Sequence, residues 1–166
     1  MSDPKYVTLY DSIDVAALPA GGRAYAGYVG GRWPTFRPVK LRFPDAKVVS
    51  IAVNVEEDAD ILDVERGDAT PVQVAGWVRR QSMRGAYAPG FYTSISQAGW
   101  ILKDLLSHGI PRHRVRVWTA HWTGVPHLCD TRCAADFQTR AGATQYVSCP
   151  GGRSFDVSLC RPQFLP

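Results

Sequence analysis

Apolar residues along the chain gather into short runs separated by polar, glycine and proline-containing stretches. Eight of these runs read as strands: 6–13, 24–30, 48–53, 59–65, 90–94, 115–120, 135–139 and 155–159, the last two weaker than the rest. Two longer segments have a helical period instead. Between the fourth and fifth runs, Thr70-Pro71 has the form of an N-cap followed by proline at the first helical position, and Val74, Trp77 and Val78 then share a face with Arg79 and Arg80 outside it. Between the fifth and sixth, Ser96 is placed to cap a helix whose apolar stripe runs through Ala98, Ile101, Leu102, Leu105 and Leu106 and is stopped by Gly109 and Pro111. The stretches around Gly30-Gly31 and Cys149-Pro150-Gly151-Gly152 read as loops.

Strand, helix, strand, helix, strand is the order of a parallel sheet with crossover helices. Eight strands with only two clear helices predict a compact α/β fold, a reduced or distorted (β/α)8 TIM-like barrel in which the other connections have shrunk to loops. An open doubly wound sheet is the alternative. The 166 residues are few for a full barrel of about 250, yet no repeat, low-complexity tract or linker divides them, so residues 1–166 are read as a single domain.

An apolar content of 45% and a charged content of 20% suit a chain that buries a core. No apolar stretch reaches the length that spans a bilayer. Met1-Ser2-Asp3-Pro4-Lys5 lacks the basic and apolar regions of an export signal, so synthesis in the cytoplasm without a signal peptide is expected. The net charge of +4 is dispersed over arginines such as Arg79, Arg80, Arg112, Arg114 and Arg116 with no docking motif beside them, which reads as a solvated face. Neither nucleic acid nor a membrane is expected as a partner.

Cys129, Cys133, Cys149 and Cys160 all fall in the last quarter of the chain. One or two local disulfides are expected there, Cys129 with Cys133 above all. Free thiols are one alternative, and a structural zinc using His127-x-Cys129-x3-Cys133 is another. Without paired CxxC motifs, no metal site and no cofactor are expected.

The chemistry concentrates in Asp63-Val64-Glu65. Residues i and i+2 of a strand point to one face, so Ile61, Asp63 and Glu65 lie together and two acids meet where Arg66-Gly67-Asp68 opens to solvent. A general acid and a partner carboxylate flank a glycosidic bond in such an arrangement. In the first strand Val7, Leu9, Asp11 and Ile13 share a face, an apolar face ending in an acid as at a barrel mouth. Asp11 is therefore preferred over Asp14, which is left as a helix or turn cap.

In order along the chain, these segments resemble the family 25 glycoside hydrolases of lysozyme type and the related short glycoside-hydrolase-like domains of actinobacteria and their phages. That pattern has an Asp ending the first strand, Asp-x-Glu the fourth, Tyr-Thr/Ser on the fifth, Trp-x-Ala on the sixth, Gln on the seventh and Asp on the eighth. This chain offers Asp11 or Asp14, Asp63 and Glu65, Tyr92-Thr93, Trp118-Thr119-Ala120, Gln138 and Asp156. Tyr10-Asp11-Ser12, Gly27-Tyr28-Val29 and Gly67-Asp68-Ala69-Thr70-Pro71 add to the likeness.

The resemblance implies N-acetylmuramidase-type hydrolysis of the β-1,4 bond between N-acetylmuramic acid and N-acetylglucosamine in peptidoglycan. Glu65 would be the general acid. Asp63 would stabilise the oxocarbenium-like transition state or orient the 2-acetamido group. Asp11 and Asp156 would hold the cluster and keep Glu65 protonated. Tyr28, Trp33, Tyr92, Trp118 and Trp122 are candidates to stack on sugars, with Trp33 and Trp122 in the more loop-like settings, and Gln138 joins the substrate site. His121 and His127 read as incidental loop histidines. The partners implied are cell-wall glycan and, if the protein rides on a virion or is released to the wall, other phage virion proteins. The rival reading is a catalytically inactive virion or surface component that keeps the barrel as a scaffold or glycan-binding module.

Overall fold

The computed structural model describes residues 5–166; the segment Met1–Pro4, read above for an export signal, lies outside them. Strands β1 (Val7–Asp11), β2 (Ala24–Tyr28), β3 (Lys47–Ala52), β4 (Ile61–Asp63), β5 (Gly90–Ser94), β6 (Arg116–Ala120), β7 (Ala143–Ser148) and β8 (Asp156–Cys160) close into one barrel in chain order. Strands β1 to β7 run parallel to their neighbours, while β8 is antiparallel to both β7 and β1. The barrel is thus mixed, not the wholly parallel one expected. The cause is local. Residues 149–155 form too short a link to carry the chain back to the far end, since a parallel crossover takes about a dozen residues or more. They turn it directly instead, with Cys149, Gly151 and Gly152 at φ 47°, 62° and 75°.

Among the described residues three α-helices lie outside: α1 (Phe36–Arg42), α2 (Val74–Met83) and α3 (Ile95–Ser107). A 3-10 turn, Pro71–Gln73, leads into α2 behind a capping box in which Thr70 and Gln73 bond reciprocally. The cap of α3 is Ser94, not Ser96, because β5 runs straight into the helix. Helices α2 and α3 bury Trp77, Val78, Ala98, Ile101 and Leu105 against Leu62, Phe91 and Val117 on the outer strand faces. Helix α1 buries Val39 beside Tyr25 and Val48. Its close approach depends on Gly27, where a Cβ would stand 2.6 Å from Phe36 Cα. Gly27→Ala is expected to destabilise the fold by about 1–3 kcal/mol in urea titrations, because the obstacle is backbone that cannot swing aside.

Inside the barrel the alternate residues Leu9, Ala24, Ala26, Val49, Ile51, Ile61, Ala143 and Cys160 make a dry core, with Trp118 packed edge-on against Phe164 at 5.9 Å. Below it, Arg116 pairs with Asp60 at 3.1 Å and donates to the carbonyls of Ala88 and Phe164. The core is therefore closed at the end where the strands begin.

The seventh strand is not 135–139. Those residues belong to the loop 121–142, which Phe137 anchors in the helix-facing core, and the strand proper is Ala143–Ser148. The expected disulfides are also not formed: all four cysteines are free. Cys160 is buried in the barrel interior and Cys149 is exposed on the β7–β8 turn, at opposite ends of β8. No helix among the described residues is long and apolar enough to cross a membrane.

Candidate active site

Where β1 to β7 end and β8 begins, the barrel opens into a cavity of about 230 Å³. Its walls carry Asp11, Asp63, Glu65 and Asp156 together with Tyr28, Tyr92, Trp118, Trp122, Gln145 and Ser148. Alternation places the acids there. Leu9 and Ile61 fill the core, Asp11 and Asp63 stand one inward step further along their strands, and Glu65 follows two residues beyond Asp63. Asp156 arrives by a different route from the strand end expected of it. It is the first residue of the antiparallel β8 and pairs directly with Asp11, the last residue of β1.

The two inner acids are nearly dry. Asp11 is 6% and Asp63 5% exposed, and each has a buried carboxyl oxygen with no hydrogen-bond partner. Burial pushes the Asp11 carboxyl up to about 8, helped by the charges of Asp156 and Glu65. Asp63 is likewise raised to about 8 by burial and then by Glu65, Asp68 and Asp11. Glu65 is exposed at the mouth and is raised by burial, then by Asp68 and Asp156, with the nearby Tyr92 hydroxyl acting in the opposite direction. Such a cluster holds protons at neutral pH, and they belong to the group more than to one carboxyl. Burial and the surrounding acids also keep the Tyr28 and Tyr92 hydroxyls protonated, hence available as donors.

Asp156 accepts from Ser148 Oγ at 2.8 Å and from the Cys149 amide at 3.1 Å, so its orientation is fixed. The Tyr92 hydroxyl donates to Gln145 Oε1. A bulge between Gln145 and Val147 shifts the register of β7, which lets Gln145 and Ser148 line the same cavity although they are three residues apart.

Several residues stand elsewhere than expected. Gln138 is exposed on the loop, where it donates to the Ala135 carbonyl, and Gln145 is the glutamine of the seventh strand. Trp33 does not line the cavity; its ring lies 5.1 Å from the Arg32 guanidinium. Trp118 is the floor, buried with Nε1 donating to Ser158 Oγ at 3.0 Å, and so presents no open face for a sugar. Trp122 is 65% exposed at the rim. Asp14 caps a 3-10 turn through the Ala16 amide at 3.0 Å. Sequence reasoning passed over Gln145, Ser148 and Asp68. The turn closed by the Asp68 amide on the Glu65 carbonyl brings the Asp68 carboxylate within 4.8 Å of those of Asp63 and Glu65.

No protein-family model matches the chain, and no curated protein matches it in sequence. Two solved structures share its fold. An uncharacterized protein of B. stearothermophilus superposes with a TM-score of 0.69 at 14% identity, covering 96% of this chain and 100% of the other. GHIP of Streptococcus pneumoniae, described as a glycosyl hydrolase 25 and a virulence factor participating in host cell invasion, superposes with a TM-score of 0.58 at 14% identity over 95% of this chain and 88% of its own. The eight-stranded barrel of this chain is thus similar in fold to a glycoside hydrolase 25.

Proposed function

We propose that the barrel mouth is a glycosidase active site of N-acetylmuramidase type and that peptidoglycan is its substrate. One observation carries the reading: Asp11 and Asp63, buried with partnerless carboxyl oxygens, converge with Glu65 in a single cavity. Two buried acids without hydrogen bonds are costly to a fold. Their retention at the open end of an otherwise apolar barrel is what a site for positive charge developing on a sugar requires.

Glu65, exposed and raised in proton affinity, gives its proton to the leaving glycosidic oxygen as the bond to the anomeric carbon breaks. In the form of the cluster in which Asp63 has given up its proton and Glu65 keeps one, Asp63 faces the other side of that carbon and stabilises the oxocarbenium-like charge or accepts the N–H of the 2-acetamido group, whose oxygen then closes on the carbon. Water completes the hydrolysis, returning a proton to Glu65. Asp11 and Asp156 complete the acidic wall of the cavity, and Trp122 at the rim offers its face to a neighbouring sugar.

Spacing favours retention. One oxygen of Asp63 and one of Glu65 lie within 4.8 Å of each other, and retaining enzymes hold their two carboxyl groups closer, at about 5–5.5 Å, than inverting ones, at about 6.5–9.5 Å. The first-formed product is expected to keep the β configuration, read by proton NMR before mutarotation.

The function is tested by incubating the protein with purified peptidoglycan, counting new reducing ends and sedimenting the protein with the same walls. New ends support the glycosidase. Co-sedimentation without new ends would move the reading to a glycan-binding module.

A further inference from the structure

The β6–β7 connection, residues 121–142, holds no helix or strand and exceeds the roughly 12–15 residues at which structureless loops become uncommon. At its root four side chains converge. His121, His127, Cys129 and Cys133 each present a donor atom, all lying within 4.8 Å of one another. The backbone holds them there. The His121 amide donates to the Gln145 carbonyl at 2.9 Å, the Cys129 amide to Thr144 Oγ1 at 2.9 Å, and the Cys133 amide to the Asp130 carbonyl at 3.0 Å, closing the turn that folds the second cysteine back toward the first.

The distances among His121, His127 and Cys129 are those of one coordination sphere, with the Cys133 sulfur within 4.8 Å of all three. A tetrahedral ion with Zn–S of about 2.3 Å and Zn–N of about 2.0–2.1 Å needs edges of about 3.3 Å between nitrogens and about 3.6 Å between nitrogen and sulfur. Here His121 Nδ1 and His127 Nε2 are 3.1 Å apart, and Cys129 Sγ stands 3.6 Å and 3.7 Å from them. The tautomer of His127 also fits. Its Nδ1 lies 2.8 Å from the Val125 carbonyl, which accepts only from N–H, so the lone pair is left on Nε2, the atom turned into the cluster.

The geometry points to a structural zinc site, Cys2His2, formed by His121, His127, Cys129 and Cys133 and ordering the β6–β7 loop. Four protein donors leave no open position for substrate, the mark of a structural rather than a catalytic centre. Two thiols lose their protons on binding, and the two thiolates balance the charge of the ion. Trp122 follows ligand His121 directly and lies on the cavity rim, so the ion also fixes the edge of the barrel mouth. This site stands apart from the glycosidase reading, and its test does not use activity.

The experiment is elemental analysis of full-length protein purified from zinc-supplemented culture, followed by replacement with Co²⁺. About one zinc per chain is expected, and the cobalt protein should show the intense visible bands of a tetrahedral site with a near-ultraviolet thiolate band. His127→Ala and Cys133→Ser should lose the ion, and Cys149→Ser, on the exposed β7–β8 turn, should keep it. Chelation with phenanthroline should lower Tm by roughly 10 °C. In the native protein, alkylation should spare Cys129 and Cys133 until the chelator is added, an arm that needs no variant to fold. Zinc content no higher than that of Cys133→Ser, a weak octahedral cobalt spectrum, or a Cys129–Cys133 disulfide in the native mass spectrum would overturn the site.

Discussion

Glu65→Gln is expected to lower glycan cleavage by about 10²–10⁴-fold or more while leaving Tm close to that of the wild type. Glu65 is exposed at the cavity mouth and its side chain fills no core position, so an amide of the same shape costs the fold little. The proton is what is lost. An amide cannot donate to the leaving oxygen as a carboxylic acid does, and the other acids are placed differently: Asp63 and Asp11 are deeper, Asp156 is held by Ser148 and the Cys149 amide, and Asp68, though within 4.8 Å of Glu65, does not line the cavity. Asp63→Asn is expected to lose most of the rate as well, with co-sedimentation on peptidoglycan less affected. Reducing-end release by both variants at matched thermal stability checks this, and cleavage by Glu65→Gln at the wild-type rate would remove Glu65 from the proton-donor role.

The second large effect is on stability, which should fall as the pH rises between about 4 and about 8. Asp11 and Asp63 bind protons more tightly folded, at about 8, than at the ordinary 3.8 of an unfolded aspartate. Their contribution is fully present below the unfolded value. Above it the unfolded chain sheds protons that the folded one retains, so stability declines until the folded value is passed. Each tenfold change in proton affinity corresponds to about 1.4 kcal/mol, so even a quarter of the shift at one site is worth about 1.4 kcal/mol, or about 3–6 °C in Tm for a chain of this size. Asp11→Asn and Asp63→Asn should each raise Tm at pH 8 and flatten its dependence on pH, since the amide mimics the neutral acid and each acid leaves an oxygen unbonded. Scanning calorimetry from pH 5 to 8 decides it. A flat wild-type profile, or Asn variants less stable at pH 8, would mean that these carboxyls are solvated in solution.

Much of the fold was legible where one residue pattern had one outcome. The run Gly90–Ser94 is β5 to the residue, and Thr70-Pro71 opens its helix through a capping box. Alternation alone carried Asp11, Asp63 and Glu65 to one face, because strand period is a local property. The misses come from long-range events. Phe137 made 135–139 look like a strand, but its burial comes from the helix-facing core around a loop, and the true β7 begins with the less apolar Ala143-Thr144-Gln145. That displacement took the site glutamine from Gln145 to Gln138 and hid the reversal of β8, since the short link 149–155 is visible only once β7 is placed correctly. Proximity in sequence favoured a Cys129–Cys133 disulfide, while the chain path brings His121 and His127 to the same sulfur. Trp33 looked available because it lies in a loop, and it is exposed, but it does not line the cavity.

The most direct test of the glycosidase is mass spectrometry of borohydride-reduced fragments released from purified peptidoglycan by the wild-type protein and by Glu65→Gln. The wild type is expected to generate fragments ending in N-acetylmuramitol, and Glu65→Gln essentially none. No released fragments, fragments ending in N-acetylglucosaminitol, or equal release by the variant would contradict it.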